Sequence, residues 1–146
     1  MDIICDIDGT LLNITGRIAW IKEASPPNWE RFRSEWWRDT PIQPIVTLMQ
    51  TLGEHPEHNI IMASGRTEKE RPQTELQLHR LDIKYSGLYM RATGDFRPDY
   101  IVKEEILIRI KKNGYQPELA FDDRQQVVDM WRRNGIRCAQ VDVGNF

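Results

Sequence analysis

A chain of 146 residues has the length of one ordinary domain. Its 40% hydrophobic and 29% charged content are those of a folded protein with a real core, which excludes a disordered chain. A net charge of −2 gives no overall attraction to nucleic acid, so binding of that kind has to come from a local basic patch. No apolar run approaches the length of a membrane span, and the first residues enter a strand rather than a basic-then-apolar leader. Cys5 and Cys138 fall inside predicted strands as small core residues, so a reducing cytoplasm and no membrane are expected.

The predicted elements alternate between strand and helix. Ile3 to Asp6 is a short buried strand. Residues 18 to 40 form a Trp-rich, charged insertion, punctuated by Ser25-Pro26-Pro27 and long enough for one or two short helices. Ile45, Leu48, Met49 and Leu52 recur at helical spacing from Ile42, and Gly53 ends that helix. A second buried strand covers Asn59 to Ala63, and a helix from about Glu70 to Leu81 turns Thr74, Leu78 and Leu81 inward. Leu88 to Met90 is a short third strand, followed by a polar loop from Arg91 to Pro98. Asp99 is the expected N-cap of a helix running to Lys112. A fourth strand, Glu118 to Phe121, stops at Asp122-Asp123. The helix Gln125 to Asn134 then buries Val127, Val128 and Trp131 and ends at Gly135, before a last strand from Arg137 to Val143. Such alternation with short connections predicts an α/β, Rossmann-like parallel sheet sandwiched between helices, in a single domain spanning 1–146, with a small cap-like insertion at 18–40 after the first strand.

Ligands in parallel sheets bind beyond the carboxyl ends of the strands, and here those ends carry chemistry. Asp6 and Asp8 stand two residues apart where the first strand gives way to Gly9, so both carboxylates can converge on one point, and Thr10 adds a hydroxyl to the same corner. A nucleophile beside a proton carrier, at a place where a divalent cation could neutralise their repulsion, is one meaning of this pattern. An ordinary acidic turn is the other. The second strand ends in Ser64-Gly65-Arg66, a hydroxyl, backbone amides and a guanidinium suited to phosphate oxygens. Lys103, on the first turn of the helix that begins at Asp99, offers a compact cation for developing negative charge. Asp122-Asp123 supplies hard oxygen donors of the kind Mg²⁺ takes. In this order the groups are the parts of phosphoryl transfer to an aspartate.

With these residues in place, the chain resembles the haloacid dehalogenase superfamily of Mg-dependent phosphatases. More closely, it is similar to the 3′-phosphatase domain of bacteriophage polynucleotide kinase/phosphatase. The likeness rests on Asp6-Ile7-Asp8-Gly9-Thr10-Leu11, Gly16-Arg17, Ser64-Gly65-Arg66, Gly94-Asp95, Arg97-Pro98-Asp99 and Val102-Lys103-Glu104-Glu105-Ile106. It continues through Asp122-Asp123-Arg124, Gln126 to Arg132 and Gly144-Asn145-Phe146, nearly the whole chain. The resemblance implies that Asp6 forms an aspartyl phosphate while Asp8 serves as acid and then base. Mg²⁺ would be held by Asp6, the Asp8 carbonyl and Asp123, with Asp122 behind them. Ser64 and Lys103 would grip the phosphate, beside Thr10 and Gly65. Arg17, Arg66 and Asp99 would contact phosphate, substrate backbone or Lys103. The implied substrates are 3′-phosphorylated DNA or RNA ends, with a separate 5′-kinase and a ligase as partners. No Gly-x-x-x-x-Gly-Lys-Ser/Thr loop occurs in the sequence, so no kinase activity is expected from it.

Several readings stay open on the residues alone. The basic residues Arg66, Arg71, Arg91, Arg97 and Lys103 near the site edge suit a small phosphomonoester nearly as well as a polynucleotide, and a non-catalytic nucleic-acid-binding module is the reading from another class. In the insertion, Trp20, Trp29, Trp36 and Trp37 interleave with Arg31, Arg33 and Arg38, a pattern that could stack bases. Trp29, Phe32 and Trp36 also share helical spacing, which favours packing onto the core. The histidines at 55, 58 and 79 lie at no strand end and are assigned no chemistry.

Overall fold

The structure, a computed structural model, describes residues 1–144 and 146; Asn145 of the closing motif lies outside the described residues. Five strands form a parallel sheet: β1 (Asp2–Cys5), β4 (Asn59–Thr67), β5 (Gly87–Arg91), β6 (Pro117–Asp122) and β7 (Arg137–Gln140). Their order is β5-β4-β1-β6-β7, which places β1 at the centre with β4 and β6 on its two sides. A second, antiparallel pair joins β2 (Leu12–Asn13) to β3 (Thr40–Pro41) and closes the base of the insertion. The helices are α1 (Thr15–Lys22), α2 (Trp29–Ser34), α3 (Gln43–Glu54), α4 (Arg71–Arg80), α5 (Asp99–Lys112) and α6 (Gln125–Arg133).

Both faces of the sheet are apolar because parallel strands must be covered on each side. Alternate residues of β1 therefore enter different cores. Ile3 and Cys5 pack with Val46 and Met49 of α3 and Leu78 of α4, while Ile4 packs with Val102 and Ile106 of α5 and Val127 and Trp131 of α6. Trp131 is fully buried, and its indole N–H donates to Asp122 Oδ2 at 3.2 Å, so the core of this face reaches the end of β6.

Several boundaries differ from those expected. β4 runs on through Ser64-Gly65-Arg66 to Thr67, with a register shift against β5 between Ser64 and Thr67. β7 stops at Gln140 rather than Val143. Asp99 is not a cap: Pro98 occupies the cap position, and Asp99 is the first helical residue with its carboxylate free for other partners. Gly53 does not end α3 but lies within it, and His55 follows as the C-cap. The reason is tertiary, because a Cβ at position 53 would sit 2.7 Å from the Lys84 carbonyl oxygen. Phe32 alone of the expected Trp29, Phe32 and Trp36 stripe is buried, whereas Trp29 is 51% exposed.

Propensity alone says that Gly to Ala inside a helix stabilises by roughly 0.5–1 kcal/mol. The clash with Lys84 reverses the sign: Gly53→Ala lowers the midpoint of urea unfolding. A midpoint equal to or above that of the parent would show that α3 can move away from Lys84.

Candidate active site

The sheet order brings the ends of β1 and β6 together at one edge. Asp6 follows β1 directly, Asp122 ends β6 and Asp123 follows it, and the Asp6 N–H donates to the Phe121 carbonyl at 3.0 Å, which fixes the two strand ends side by side. Asp6, Asp122 and Asp123 each offer a carboxylate oxygen within 4.8 Å of the others, and all three are buried. Gly9 permits this packing: its φ of +85° suits glycine, and a Cβ there would collide with the Asp123 carboxylate. The Thr10 hydroxyl, also buried, donates to Asp6 Oδ2 at 3.1 Å.

Lys103 enters from the second turn of α5. Its ammonium donates to Asp6 Oδ1 at 2.6 Å and Asp122 Oδ2 at 2.9 Å, with Asp99 Oδ2 at 3.6 Å, and its side chain is 1% exposed. Burial opposes its charge, but Asp122, Asp6 and Asp99 outweigh that effect and hold it protonated well above the ordinary range. Three carboxylates around one ammonium still leave an excess of negative charge. The consequence is visible in their titration. Burial, with Asp122 and Asp123 adding to it against the pull of Lys103, raises the Asp6 carboxyl well above its usual range. Burial and Asp122 push Asp123 up to about 6. Hard oxygen donors, mutual repulsion and close spacing fit a divalent cation such as Mg²⁺ held by Asp6, Asp122 and Asp123.

The Asp8 carboxylate belongs to a second group. Arg66 grips it from two nitrogens, Nη2 to Oδ1 at 2.6 Å and Nε to Oδ2 at 3.0 Å, and Arg17 Nη2 approaches Oδ1 at 3.4 Å. Asp39 closes the group: it accepts from Arg17 at 2.7 and 2.9 Å, from Arg66 at 3.1 Å and from Gln77 at 3.1 Å. Arg66 also donates to Thr74 and Gln77 of α4. Two carboxylates and two guanidiniums balance here. Burial works against the Asp8 charge, but Arg66 and then Arg17 outweigh it and hold the carboxyl below its usual range.

Thr10, Arg17 and Arg66, expected to face the substrate, thus have their polar groups turned to Asp6, Asp8 and Asp39. Ser64 is buried, and its hydroxyl accepts the Arg66 backbone N–H at 3.1 Å. The Gly65 carbonyl accepts from Arg91 at 2.8 Å, and Asp99 pairs with Arg91 and Arg124 as well as Lys103. Of the expected basic mouth, Arg71 is paired with Glu68 and Glu75 and Arg97 with Asp95 and Glu105. Asp39, unsuspected from the sequence, carries no motif of its own. Its one signal was being a lone acid just after the Trp-Trp-Arg run, at the return from the insertion.

Above these groups lies a cleft of about 570 Å³. Asp6, Asp8, Gly65 and Arg66 line its base, the insertion supplies one wall, and the loop after β5 supplies another. A chain so built matches, over residues 1–146, the family model described as the polynucleotide kinase PNKP phosphatase domain. The chain belongs to that family.

The phosphatase domain is 28% identical over 131 residues to a putative bifunctional polynucleotide kinase/RNA ligase from Autographa californica nuclear polyhedrosis virus, a match covering 89% of this chain and 17% of that protein. It superposes on a chain of the Pnkp1/Rnl/Hen1 complex with a TM-score of 0.80 at 35% identity, covering 99% of this chain and 47% of the other. The phosphatase domain therefore spans less than half the length of either relative. A haloacid dehalogenase-like hydrolase from Streptococcus pneumoniae, 15% identical with a TM-score of 0.64 over 94% of this chain and 82% of its own, shares the fold. The protein is a phosphatase of the haloacid dehalogenase type. No described helix is long and apolar enough to cross a membrane.

Two outcomes are expected from the two charge groups. Asp123 takes up a proton near pH 6 in the folded state, whereas an unfolded aspartate does so near 4. Without divalent cations the melting temperature should rise as pH falls from 7 to 5, because the folded state binds the extra proton. Asp8, shifted the other way, removes stability only at pH below that window. Saturating Mg²⁺ should abolish the rise by holding the carboxylates ionised; a melting temperature that is flat in chelator over this window would refute the overcharged cluster. Asp39→Asn leaves two buried guanidiniums facing one carboxylate, and should cost about 3–5 kcal/mol in denaturant unfolding. A change under 1 kcal/mol would mean that Asp8 alone suffices to hold both arginines.

Proposed function

We propose that the phosphatase domain is a Mg²⁺-dependent polynucleotide 3′-phosphatase that acts through an aspartyl phosphate on Asp6, most readily on RNA ends. The observation carrying this reading is the excess negative charge of Asp6, Asp122 and Asp123 at the base of an open cleft, with Lys103 as their one ammonium. Bound Mg²⁺ would lower the pKa of Asp6 and neutralise the phosphate oxygens. Asp6 attacks phosphorus while Thr10 and Lys103 orient its oxygens. The bond from phosphorus to the 3′ oxygen breaks, and that oxygen takes its proton from Asp8. Water then attacks the acyl phosphate, Asp8 takes the proton back, and inorganic phosphate leaves.

In the free protein Asp8 is the ionised form, held so by Arg66 and Arg17. A dianionic phosphate arriving beside it works in the opposite direction and favours its protonation, which readies the acid only when substrate is present. Gly65, near the end of β4 on the cleft floor, would offer its backbone to the phosphate, with the buried Ser64 beside it. The polynucleotide substrate is supported by the family and by the kinase and RNA ligase named among the relatives; the same names make a 5′-kinase and an RNA ligase the fitting partners.

The test is phosphate release with Mg²⁺ from matched oligonucleotides, 3′- or 5′-phosphorylated, in RNA and DNA, with Asp6→Asn as control. Release confined to 3′ ends and lost in the variant is expected. Release from 5′ ends at a similar rate, or hydrolysis of p-nitrophenyl phosphate alone, would reject the 3′-end assignment. Turnover by Asp6→Asn near the parental rate would reject the covalent route.

A further inference from the structure

Three aromatic side chains outside the core line the cleft above Asp6: Trp29, Phe96 and Phe146, the last with the Arg124 guanidinium 5.4 Å over its ring. Trp29, at the start of α2, is 51% exposed and meets Phe32 edge to face, centroids 5.8 Å apart at 86°. Phe96, at the tip of the loop between β5 and α5, is 94% exposed. Both line the cleft, from the insertion wall and the loop wall respectively. An exposed ring on a loose loop carries little meaning, but this loop is braced. Arg91 donates to the carbonyls of Asp95 at 3.2 Å and Arg97 at 2.6 Å, the residues on either side of Phe96. Arg97 is fastened in turn to Asp95 and, at 2.7 Å from two nitrogens, to Glu105 of α5. The fold holds the neighbours of Phe96 still and presents its ring to solvent.

Of the other aromatic and basic residues of the insertion, Trp20, Arg31 and Arg38 are engaged with one another through Glu35, and Trp37, 68% exposed, lies outside the cleft lining. Glu35 accepts from the Trp20 indole, Arg31 and Arg38, and Arg31 lies 3.6 Å over the Trp20 ring. What remains on the cleft wall is Trp29 with Arg33, a ring beside a cation; Arg124 lines the same cleft but is paired with Asp99 at 3.5 Å. Rings that stack and guanidiniums that meet phosphates are the pair of features a single strand requires, since only unpaired bases expose their faces. A volume of about 570 Å³ suits one or two nucleotides.

We infer that Trp29 and Phe96 stack the bases of the last nucleotides of a single-stranded end, with Arg33 beside the connecting phosphate, so that the protein selects unpaired polynucleotide termini. The inference rests on the 3′-phosphatase reading and names its substrate class more narrowly.

The experiment compares kcat/KM for a 3′-phosphorylated single-stranded RNA oligonucleotide with that for the same strand lacking the last two bases. The parent protein should favour the base-bearing strand about tenfold or more, in keeping with the loss of a stacking partner. Trp29→Ala and Phe96→Ala should each shrink that ratio, the double variant should bring it near one, and Trp29→Phe should restore most of it. A ratio unchanged in both Ala variants overturns the inference, even where overall turnover falls, because damage to the fold lowers both substrates together. A ratio near one in the parent overturns it too, and would assign the rings to an apolar side chain of a protein partner. Failure of both strands while p-nitrophenyl phosphate is hydrolysed would instead sink the 3′-phosphatase reading beneath it.

Discussion

The buried pairing of Lys103 with Asp6 and Asp122 is the interaction on which this molecule is organised. It ties the central strand, its neighbour β6 and helix α5 together at one point, and it does so without neutralising the point. A buried ion pair adds little to stability once desolvation is counted, so its retention in a core this apolar speaks for a role beyond holding the fold. The unbalanced carboxylate, Asp123, is kept against Asp122 by the tight approach of Gly9 and by the Val141 and Gly144 N–H bonds to the carbonyls of Asp122 and Asp123. The fold thus maintains a deficit of positive charge at the edge of the sheet where β1 and β6 end.

A second group of charges, a few residues away, is arranged on the opposite plan. Asp8 and Asp39 are matched by Arg17 and Arg66, with Gln77 and Thr74 taking up further donors and acceptors. Balanced in this way, the group locks geometry instead of attracting an ion. It also joins three parts of the chain that the sheet itself does not connect: the end of β1, the insertion and α4. Phe32 extends the lock outward, with the Arg17 guanidinium 4.3 Å over its ring and the Arg17 side chain donating to its carbonyl at 3.1 Å. The insertion is therefore less a cover over the cleft than a buttress for Asp8.

Much of this was legible in the sequence, and the divide follows physical lines. Asp6, Lys103, Asp122 and Asp123 sit at strand ends or in the first turns of a helix, where local pattern fixes both the element and the edge it faces. The alternating elements gave the parallel sheet for the same reason. What local pattern does not carry is the partner of a side chain. Arg66 beside Ser64 and Gly65 has the composition of a phosphate site, yet its guanidinium is taken by a carboxylate 58 residues away in sequence. Asp39 was invisible because its partners are Arg17, Arg66 and Gln77, each more than 20 residues distant. Gly53 has the look of a helix stop until the Lys84 carbonyl is seen against it, and Trp29 shares a helical spacing with Phe32 and meets its ring edge to face, yet stays half exposed at the start of the helix.

That last feature separates two tasks within a six-residue helix. Phe32 is tied to Asp8 through Arg17, whereas Trp29, though its ring meets Phe32 edge to face, and Arg33 open onto the cleft. Trp29 and Arg33 can therefore vary with little effect on the contacts that hold Asp8. Exchange of the whole segment is more constrained. A graft cut at the β2–β3 pair brings its own Arg17 and Asp39 with it, and those two must fit the Arg66 and Gln77 of the recipient, making the charged quartet the compatibility test for any recombination at this place.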